Sequence, residues 1–323
     1  MASKTTPHGE IIKEYVRMYK ARPSRDIARI CVAENPGVFK DMMAAYRQVR
    51  YYRGASGNAD RRKPLEIIER SYIPETSLEN LDPFVIDYSS FPLCIGADAH
   101  FPYHDPEAID IFLDHAAKAR TIVFLGDFAD MYQASNFVKD PRAMRIADEM
   151  KMMKAFLAGV RRDFPNHRII YKIGNHEDRL DTLIKTRAPE LFGLDNLDLA
   201  SAIGADESKI EMVQSRQMLK FGRLYGLHGH EVGRGVFSPV NPARGLYLKT
   251  KKSAICAHHH QTSEHAEKNL DDKVESCWTI GCLCNMKPDY APVNRWNHGF
   301  AEITGDDDMY TVHNRKIINY RVV

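Results

Sequence analysis

Hydrophobic positions near the N-terminus recur with helical spacing. Residues 10–20 and 24–33 each carry an apolar stripe, and Ser24 is placed to cap the second stripe. Residues 35–37, Asn-Pro-Gly, predict a tight connection into a third helix that is capped by Asn35. The pattern therefore predicts a small all-α module that resembles a helix-turn-helix.

From residue 76 onward, apolar runs of strand length alternate with helical stretches. The runs that predict strands are residues 93–97, 121–125, 169–173, 224–227 and 254–257. The stretches that predict helices are residues 106–119, 141–162, 177–187 and 242–251. Such alternation is typical of an α/β domain. We therefore predict two domains, a basic helical module with its linker over residues 1–75 and a catalytic α/β domain over residues 76–323.

Composition narrows the class of protein. The chain has 323 residues, of which 44% are hydrophobic and 27% are charged, and these are ordinary globular values. No apolar run approaches the ~18 residues that a membrane span requires, and residues 1–10 lack the apolar core of a signal peptide. We therefore expect a cytoplasmic protein without membrane contacts. The six cysteines lack the CxxC spacing of a zinc knuckle, and the sequence assigns them no function.

Positive charge is concentrated in the first module. Residues 1–75 hold 15 Lys and Arg against 9 Asp and Glu, although the whole chain carries only +2. Near the end of the third predicted helix, Arg47, Arg50 and Arg53 recur every three residues beside two tyrosines. A basic, aromatic-flanked helix end suits a phosphate backbone, so these arginines are candidate nucleic-acid contacts. The alternative is a solvated helix face whose arginines pair with nearby carboxylates.

Polar side chains with metal-binding chemistry follow the predicted strands. They form four runs: Asp98-Ala99-His100, Gly126-Asp127-Phe128-Ala129-Asp130, Gly174-Asn175-His176-Glu177 and Ala257-His258-His259-His260. Functional groups of α/β sheets collect at the carboxyl ends of the strands. Carboxylates mixed with imidazoles and an amide oxygen suit a pair of divalent metals, and such a pair can activate water for phosphate ester hydrolysis.

Together with His228-Gly229-His230, these runs resemble the five motif blocks of the calcineurin-like metallophosphoesterase superfamily, over residues 93–262. The resemblance implies a calcineurin-like α/β fold, a two-sheet sandwich flanked by helices, which holds two divalent metal ions. The ligands it implies for the first ion are Asp98, His100, Asp127 and His260. The ligands it implies for the second ion are Asp127, Asn175, His228 and His258. Asp127 would bridge the ions, and we favour Mn²⁺, with Fe, Zn and Ni as alternatives.

The resemblance also implies roles beyond the ligands. The superfamily histidine at the position of His176 contacts the substrate phosphate and assists departure of the leaving group, so we predict His176 as the general acid. Asp130 is the expected partner that holds this imidazole in one tautomer. Arg179, His230 and Arg234 lie near the ligands in sequence and are candidate substrate contacts. The alternatives are arginines paired with neighbouring carboxylates and a histidine that only supports the ligands.

Two positions depart from the superfamily pattern. Ala257 stands where a glycine usually precedes the last block, and His259 stands where Ser or Thr usually separates its two ligands. Residues two apart in extended backbone point the same way, so we expect His258 and His260 to converge and His259 to point away. After Asp130, a Met-Tyr pair replaces the Arg-Gly of serine/threonine protein phosphatases, which argues against protein phosphatase activity.

The basic module and the metal motifs together predict a phosphodiesterase or nuclease. Its substrate would be nucleic acid or a nucleotide, attacked by a metal-activated hydroxide. One alternative is a phosphomonoesterase or a hydrolase of small cyclic or dinucleotide phosphates, and another is a DNA-binding protein with a vestigial metal site. The N-terminal arrangement also resembles a module that precedes this domain in some phage-encoded proteins, which implies the cytoplasm of a host cell. The sequence identifies no protein partner.

Overall fold

The computed structural model describes residues 7–54, 81–233, 240–289, 291–306 and 309–323. The chain divides into two compact units, Met1–Leu78 and Glu79–Val323. The predicted boundary near residue 75 falls outside the described residues and stays a prediction. Every helix in the described ranges is too short or too polar to cross a bilayer.

The described part of the N-terminal unit, residues 7–54, contains three helices, α1 (Pro7–Met18), α2 (Ser24–Glu34) and α3 (Met42–Tyr52). Their inward stripes form one buried cluster, made by Ile12, Ile27, Ala28, Cys31, Ala45 and Val49. The prediction that Asn35 caps the third helix is wrong, because Asn35 ends α2 and its backbone N–H bonds to Cys31 O. The cap of α3 is Asp41, whose Oδ1 accepts the Ala44 N–H at 2.6 Å.

The larger unit contains two β-sheets. In chain order the strands are β1 (Phe84–Ile86), β2 (Leu93–Gly96), β3 (Thr121–Phe124), β4 (Arg168–Lys172), β5 (Glu211–Val213), β6 (Leu219–Phe221), β7 (Leu224–Leu227), β8 (Ala254–Cys256), β9 (Ser263–Lys268), β10 (Val274–Thr279), β11 (His298–Asp306), β12 (Met309–Ile318) and β13 (Arg321–Val322). One sheet has the order β13-β12-β11-β2-β3-β4-β5, and the other has the order β1-β6-β7-β8-β10-β9. The helices are α4 (Pro106–Ala116), α5 (Ile146–Asp163), α6 (Asp178–Arg187), α7 (Leu199–Ala202) and α8 (Pro242–Thr250).

Apolar layers join these elements. Ile95 and Val123 of the first sheet belong to the same buried cluster as Phe221 and Ile255 of the second, so the two sheets pack face to face. A second cluster joins α4 and α5 to the outer face of the first sheet. A third joins α8 to β7, β8 and β10. The predicted fold class, a two-sheet α/β sandwich flanked by helices with a small helical N-terminal region, is confirmed.

Strand direction explains where polar groups collect. Strands β2, β3 and β4 are mutually parallel, and so are β7 and β8 in the facing sheet. Parallel neighbours end at the same sheet edge, so the loops that follow them lie side by side. The central strands β2, β3 and β8 are buried at every residue, which fixes the start of each loop.

Candidate metal centre

Five loops at the carboxyl ends of the parallel strands carry the predicted ligands. In the first sheet, Asp98 and His100 follow β2, Asp127 follows β3 and Asn175 follows β4. In the second sheet, His228 directly follows β7, and His258 and His260 follow β8. Side chains from both sheets therefore meet at one end of the sandwich.

The first predicted ligand group is compact. The donor atoms of Asp98, His100 and His260 all lie within 4.8 Å of one another. Nε2 of His260 lies 3.4 Å from Asp98 Oδ1 and 3.2 Å from His100 Nε2. All three residues are buried, with at most 6% of their surface exposed.

The second predicted ligand group is equally close. The donor atoms of Asp127, His228 and His258 lie within 4.8 Å of one another. Nε2 of His228 lies 3.1 Å from Asp127 Oδ2 and 3.2 Å from Asn175 Oδ1. Asp127 also forms a compact group with His100 and His176, so its carboxylate lies between the two ligand sets.

The donors fit divalent cations. Oδ1 of Asp98 is buried and accepts no hydrogen bond from the described residues, and a carboxylate oxygen in this position is costly unless it meets a positive charge from a cation or a protonated imidazole. Two imidazoles on one tetrahedral cation hold their nitrogens about 3.3 Å apart, as follows from metal–nitrogen bonds of about 2.0 Å. The 3.2 Å between the Nε2 atoms of His100 and His260 matches this spacing.

The ligand loops have unusual backbone. Asp98, His100, Asp127, His258 and His260 all have left-handed φ angles, between 51° and 68°. The predicted reason for the convergence, alternation along extended backbone, is therefore wrong, because tight left-handed loops aim these side chains. Non-glycine residues adopt this conformation rarely, and clusters of them are typical of active sites and ligand-binding loops.

Two glycines keep the loops close together. Gly126 has a φ of 91°, and a Cβ there would lie 2.6 Å from His228 Nδ1. A Cβ on Gly174 would overlap the carboxylate of Asp127. Any side chain at either position would therefore displace a predicted ligand.

Glu177 is an organising residue to which the sequence assigned no role. It is 1% exposed, and its carboxylate accepts the backbone N–H groups of four residues and a tyrosine hydroxyl. These donors are Asp127 N, Phe128 N, Ala129 N, Gly174 N and Tyr171 Oη, at 2.7–3.1 Å. Glu177 thus ties the loop after β3 to the loop after β4. The signal was present, since Glu177 ends the Gly-Asn-His-Glu run.

Hydrogen bonds outside the cluster orient two of the imidazoles. Nδ1 of His100 lies 2.9 Å from Asp130 Oδ1, and Nδ1 of His228 lies 2.8 Å from Leu125 O. Because both acceptors lack a proton to give, each Nδ1 donates and each Nε2 faces the cluster. Each Nε2 is therefore the ring atom that can bind a metal once it has no proton.

Buried groups of opposite charge strongly shift the pKa values of the ligands in this cluster. Burial alone would raise the pKa of Asp98, but His260 and His228 lower it to about 2. Burial alone would lower the pKa of His260, but the Asp98 carboxylate raises it to about 10. Asp127 raises the pKa of His228 to about 10 in the same way, again against burial. The cluster thus stabilises positive charge next to its carboxylates.

His176 and its predicted partner Asp130 lie at the edge of this cluster. Nδ1 of His176 lies 2.8 Å from Asp130 O and 3.3 Å from Asp130 Oδ1. Nη1 of Arg179 donates to the same carbonyl at 2.9 Å, and Nη2 lies 3.0 Å from His176 Nε2. Burial lowers the pKa of His176, but Asp127 and Asp130 outweigh it and raise the pKa.

The remaining predicted contacts are His230, Arg234 and the three arginines of the N-terminal unit. Nε2 of His230 lies 2.9 Å from Ser215 Oγ, and Glu231 beside it forms a 2.8 Å ion pair with the buried Lys172. Arg234 lies outside the described residues. Exposed Arg47, Arg50 and Arg53 lie along α3 in the N-terminal unit.

A cavity of about 900 Å³ opens beside the cluster. His100 and Asp130 line its inner end, and Tyr103, Trp296, Arg142 and Lys287 are among its other walls. The ring of Trp296 lies 4.1 Å from that of His260. These wall residues could not be predicted from the sequence, because they come from loops without a motif.

No protein-family model and no curated protein matches this sequence. Among solved structures, wild-type Vps29 from Entamoeba histolytica complexed with Zn²⁺ is 12% identical, with a TM-score of 0.35 over 72% of this chain and 96% of that one. Vps29 from Chaetomium thermophilum is 11% identical, with a TM-score of 0.36 over 72% and 95%. A predicted phosphoesterase from Streptococcus pneumoniae TIGR4 is 11% identical, with a TM-score of 0.29 over 68% and 86%. Likeness at this level says nothing about what the chain binds or catalyses.

Proposed function

We propose that this chain is a metal-dependent phosphoric ester hydrolase of the calcineurin-like metallophosphoesterase superfamily. One observation carries the proposal: Asp127 and six other side chains from five loops gather at one place, which includes a buried oxygen of Asp98 that accepts no hydrogen bond from the described residues. Burying two carboxylates among imidazoles without a ligand is costly, and a pair of cations removes that cost.

In this proposal each ion has its own side of the cluster. Asp98, His100 and His260 would hold one ion, Asn175, His228 and His258 the other, and Asp127 both. Two such ions, when bound, make water nucleophilic at neutral pH and neutralise charge on the phosphoryl oxygens. The mixed oxygen and nitrogen donors suit Mn²⁺, which we propose ahead of Fe, Zn or Ni.

His176 would deliver a proton to the leaving oxygen, with Asp130 orienting its ring. Arginine has no acceptor atom, so its 3.0 Å contact with Nε2 of His176 requires a lone pair there. A general acid needs a proton on that same nitrogen. We infer that Arg179 leaves Nε2 to bind a phosphate oxygen when substrate enters, which frees His176 for proton transfer.

The cavity supports a nucleotide or nucleic-acid phosphodiester as the substrate. Tyr103 and Trp296 offer aromatic faces for a base, and Lys287 adds a positive charge to a wall where Arg142 is paired with Asp140 at 2.8 Å. A volume of about 900 Å³ suits one small molecule, which favours a second candidate, hydrolysis of small cyclic or dinucleotide phosphates. The phage setting and the DNA-binding role of the helical unit stay predictions.

Two chromogenic substrates test the proposal. The metal-free protein is supplied with Mn²⁺, Zn²⁺ or Ni²⁺ and assayed on bis-p-nitrophenyl phosphate and p-nitrophenyl phosphate. We expect metal-dependent hydrolysis that is faster on the diester, and Asp127→Asn lowers it by at least about 10³-fold because it weakens both ions. The exposed Asp110→Asn on α4 is the matched control and keeps full activity. Hydrolysis that needs no metal, or that survives Asp127→Asn, would overturn the proposal.

A further inference from the structure

Two buried thiols lie behind one of the predicted metal ligands. Cys282 and Cys284, separated by Leu283, are 0% and 3% exposed and lie between β10 and β11. Sγ of Cys284 lies 3.7 Å from Nδ1 of His260, while Nε2 of the same ring faces Asp98. His260 therefore has oxygen and nitrogen donors on one side and sulfur donors on the other.

The spacing of these donors matches tetrahedral coordination. The two Sγ atoms and a ring nitrogen of His260 all lie within 4.8 Å of one another. Zinc–sulfur bonds of about 2.3 Å and zinc–nitrogen bonds of about 2.0 Å place two sulfurs about 3.8 Å apart and sulfur about 3.5 Å from nitrogen. The observed sulfur–nitrogen distance of 3.7 Å needs only a small side-chain adjustment to reach this geometry.

The chemistry of the three donors differs from that of the proposed dinuclear centre. Two thiolates neutralise a divalent cation without any carboxylate, and thiolates select softer cations than oxygen ligands do. Sγ of Cys282 lies 3.6 Å from Asn297 O as a hydrogen-bond donor, so a bound cation would displace that proton. Cys284 also lines the cavity beside His100, which gives a cation a route to the thiols.

We propose that Cys282, Cys284 and His260 form a binding site for a soft divalent cation of the Zn²⁺ class. His260 is the link between this thiol site and the dinuclear centre. A neutral imidazole has one lone pair, so His260 serves either the thiol site or the centre unless its ring loses both protons. Soft cations would therefore bind here through sulfur, whereas Mn²⁺ would not.

Cadmium is the probe, because a cadmium–thiolate bond gives an ultraviolet charge-transfer band that oxygen and nitrogen ligands do not give. The full-length metal-free protein is titrated with Cd²⁺ under reducing conditions. We expect a band that saturates, that Mn²⁺ alone does not give and that a large excess of Zn²⁺ removes. The double variant Cys282→Ala/Cys284→Ala loses the band, and His260→Ala weakens cadmium binding by at least about tenfold. The matched control, Cys94→Ala/Cys277→Ala, removes two other buried thiols and retains the band.

Two results would overturn the thiol site: no band from the wild-type protein in excess Cd²⁺, or an equal band from the Cys282→Ala/Cys284→Ala variant. The first result does not depend on the folding of any variant. The test also separates this site from the proposed hydrolase activity, because the band is measured without substrate. Asp127→Asn, which should abolish hydrolysis, should keep the band.

Discussion

The metal centre and the arginine face of α3 were both singled out by the sequence, but the structure treats them differently. The ligands of the centre come from positions 98 to 260, and the fold buries them in contact with one another. The arginines come from one helix and remain exposed at its surface. Arg53 donates to Lys20 O, Arg22 O and Ser24 Oγ at 2.9–3.0 Å, so it is already engaged within its own unit.

This difference shows which polar patterns constrain function. A charged helix face needs no ligand, because water solvates it at little cost. The buried carboxylates of Asp98 and Asp127 cannot rely on water, and they need cations or protons on the imidazoles around them. Convergence with burial therefore restricts the chemistry of the centre far more than local charge restricts the chemistry of α3.

The largest expected effect in this comparison concerns hydrolysis at the metal centre. In the hydrolysis proposed above, His176→Gln should lower kcat by about 10²–10⁴-fold, because the leaving oxygen loses its proton donor. The loss should be greatest for a nucleotide diester, whose leaving alkoxide is a strong base. It should be small for bis-p-nitrophenyl phosphate, whose leaving group needs no proton. The exposed His313→Gln in β12 is the control. Equal losses on both substrates would show that His176 is not a general acid.

The second effect concerns the support of the ligand loops. Glu177→Gln places an amide NH₂ among backbone N–H donors, so the loops after β3 and β4 lose part of their connection. We expect Mn²⁺ affinity to fall by about 10–100-fold, measured by calorimetric titration. Saturating Mn²⁺ should restore most of the hydrolysis rate, because Glu177 binds no substrate. The exposed Glu107→Gln on α4 should bind Mn²⁺ like the wild type. Unchanged affinity in Glu177→Gln would contradict this role.

The sequence predicted the strands that carry the centre and missed strands at or next to the edges of the two sheets. The runs at residues 93–97 and 121–125 are buried on both faces and became β2 and β3 within one residue. The short or exposed strands β5, β9 and β12 have weak apolar patterns, and only pairing with neighbours makes them strands. The order of the motifs predicted that the seven ligands lie together. The left-handed loops that aim them depend on contacts such as those of Glu177, whose partners on the loop after β3 lie 48 to 50 residues away and cannot be read from its own motif.

The third expected effect is on the free energy of unfolding, and it depends on pH through a buried carboxylate near the centre. Burial raises the pKa of Glu149 to about 7, although its carboxylate accepts the Met131 N–H at 2.7 Å. In the unfolded chain this group titrates near 4.5, so the folded state is penalised as pH rises from about 4.5 to 7. Glu149→Gln keeps an acceptor and removes the charge. We expect it to raise the free energy of unfolding in urea by about 1 kcal/mol at pH 5 and about 3 kcal/mol at pH 8. A gain that is independent of pH would contradict the assigned cause.

The smallest expected effect concerns the arginines of α3. The three arginines are similar in sequence, but we expect their substitutions to have different effects. Arg53 holds the connection between α1 and α2 and the start of α2 through three hydrogen bonds, whereas within the described residues Arg47 bonds to Met43 O of its own helix. Arg53→Ala should therefore destabilise the helical unit by about 1 kcal/mol, seen as faster hydrogen exchange of the α2 amides in the full-length chain.

Arg47→Ala is the matched control and should leave that exchange unchanged. If the helical unit binds DNA, Arg47→Ala should instead lower the salt dependence of binding by about one counterion, measured by fluorescence anisotropy. Arg53 already uses three of its five guanidinium N–H donors within its own unit, whereas the described contacts of Arg47 use one. Exchange that is equally fast in both variants would therefore show that position on the helix, and not the observed hydrogen bonds, decides what these arginines do.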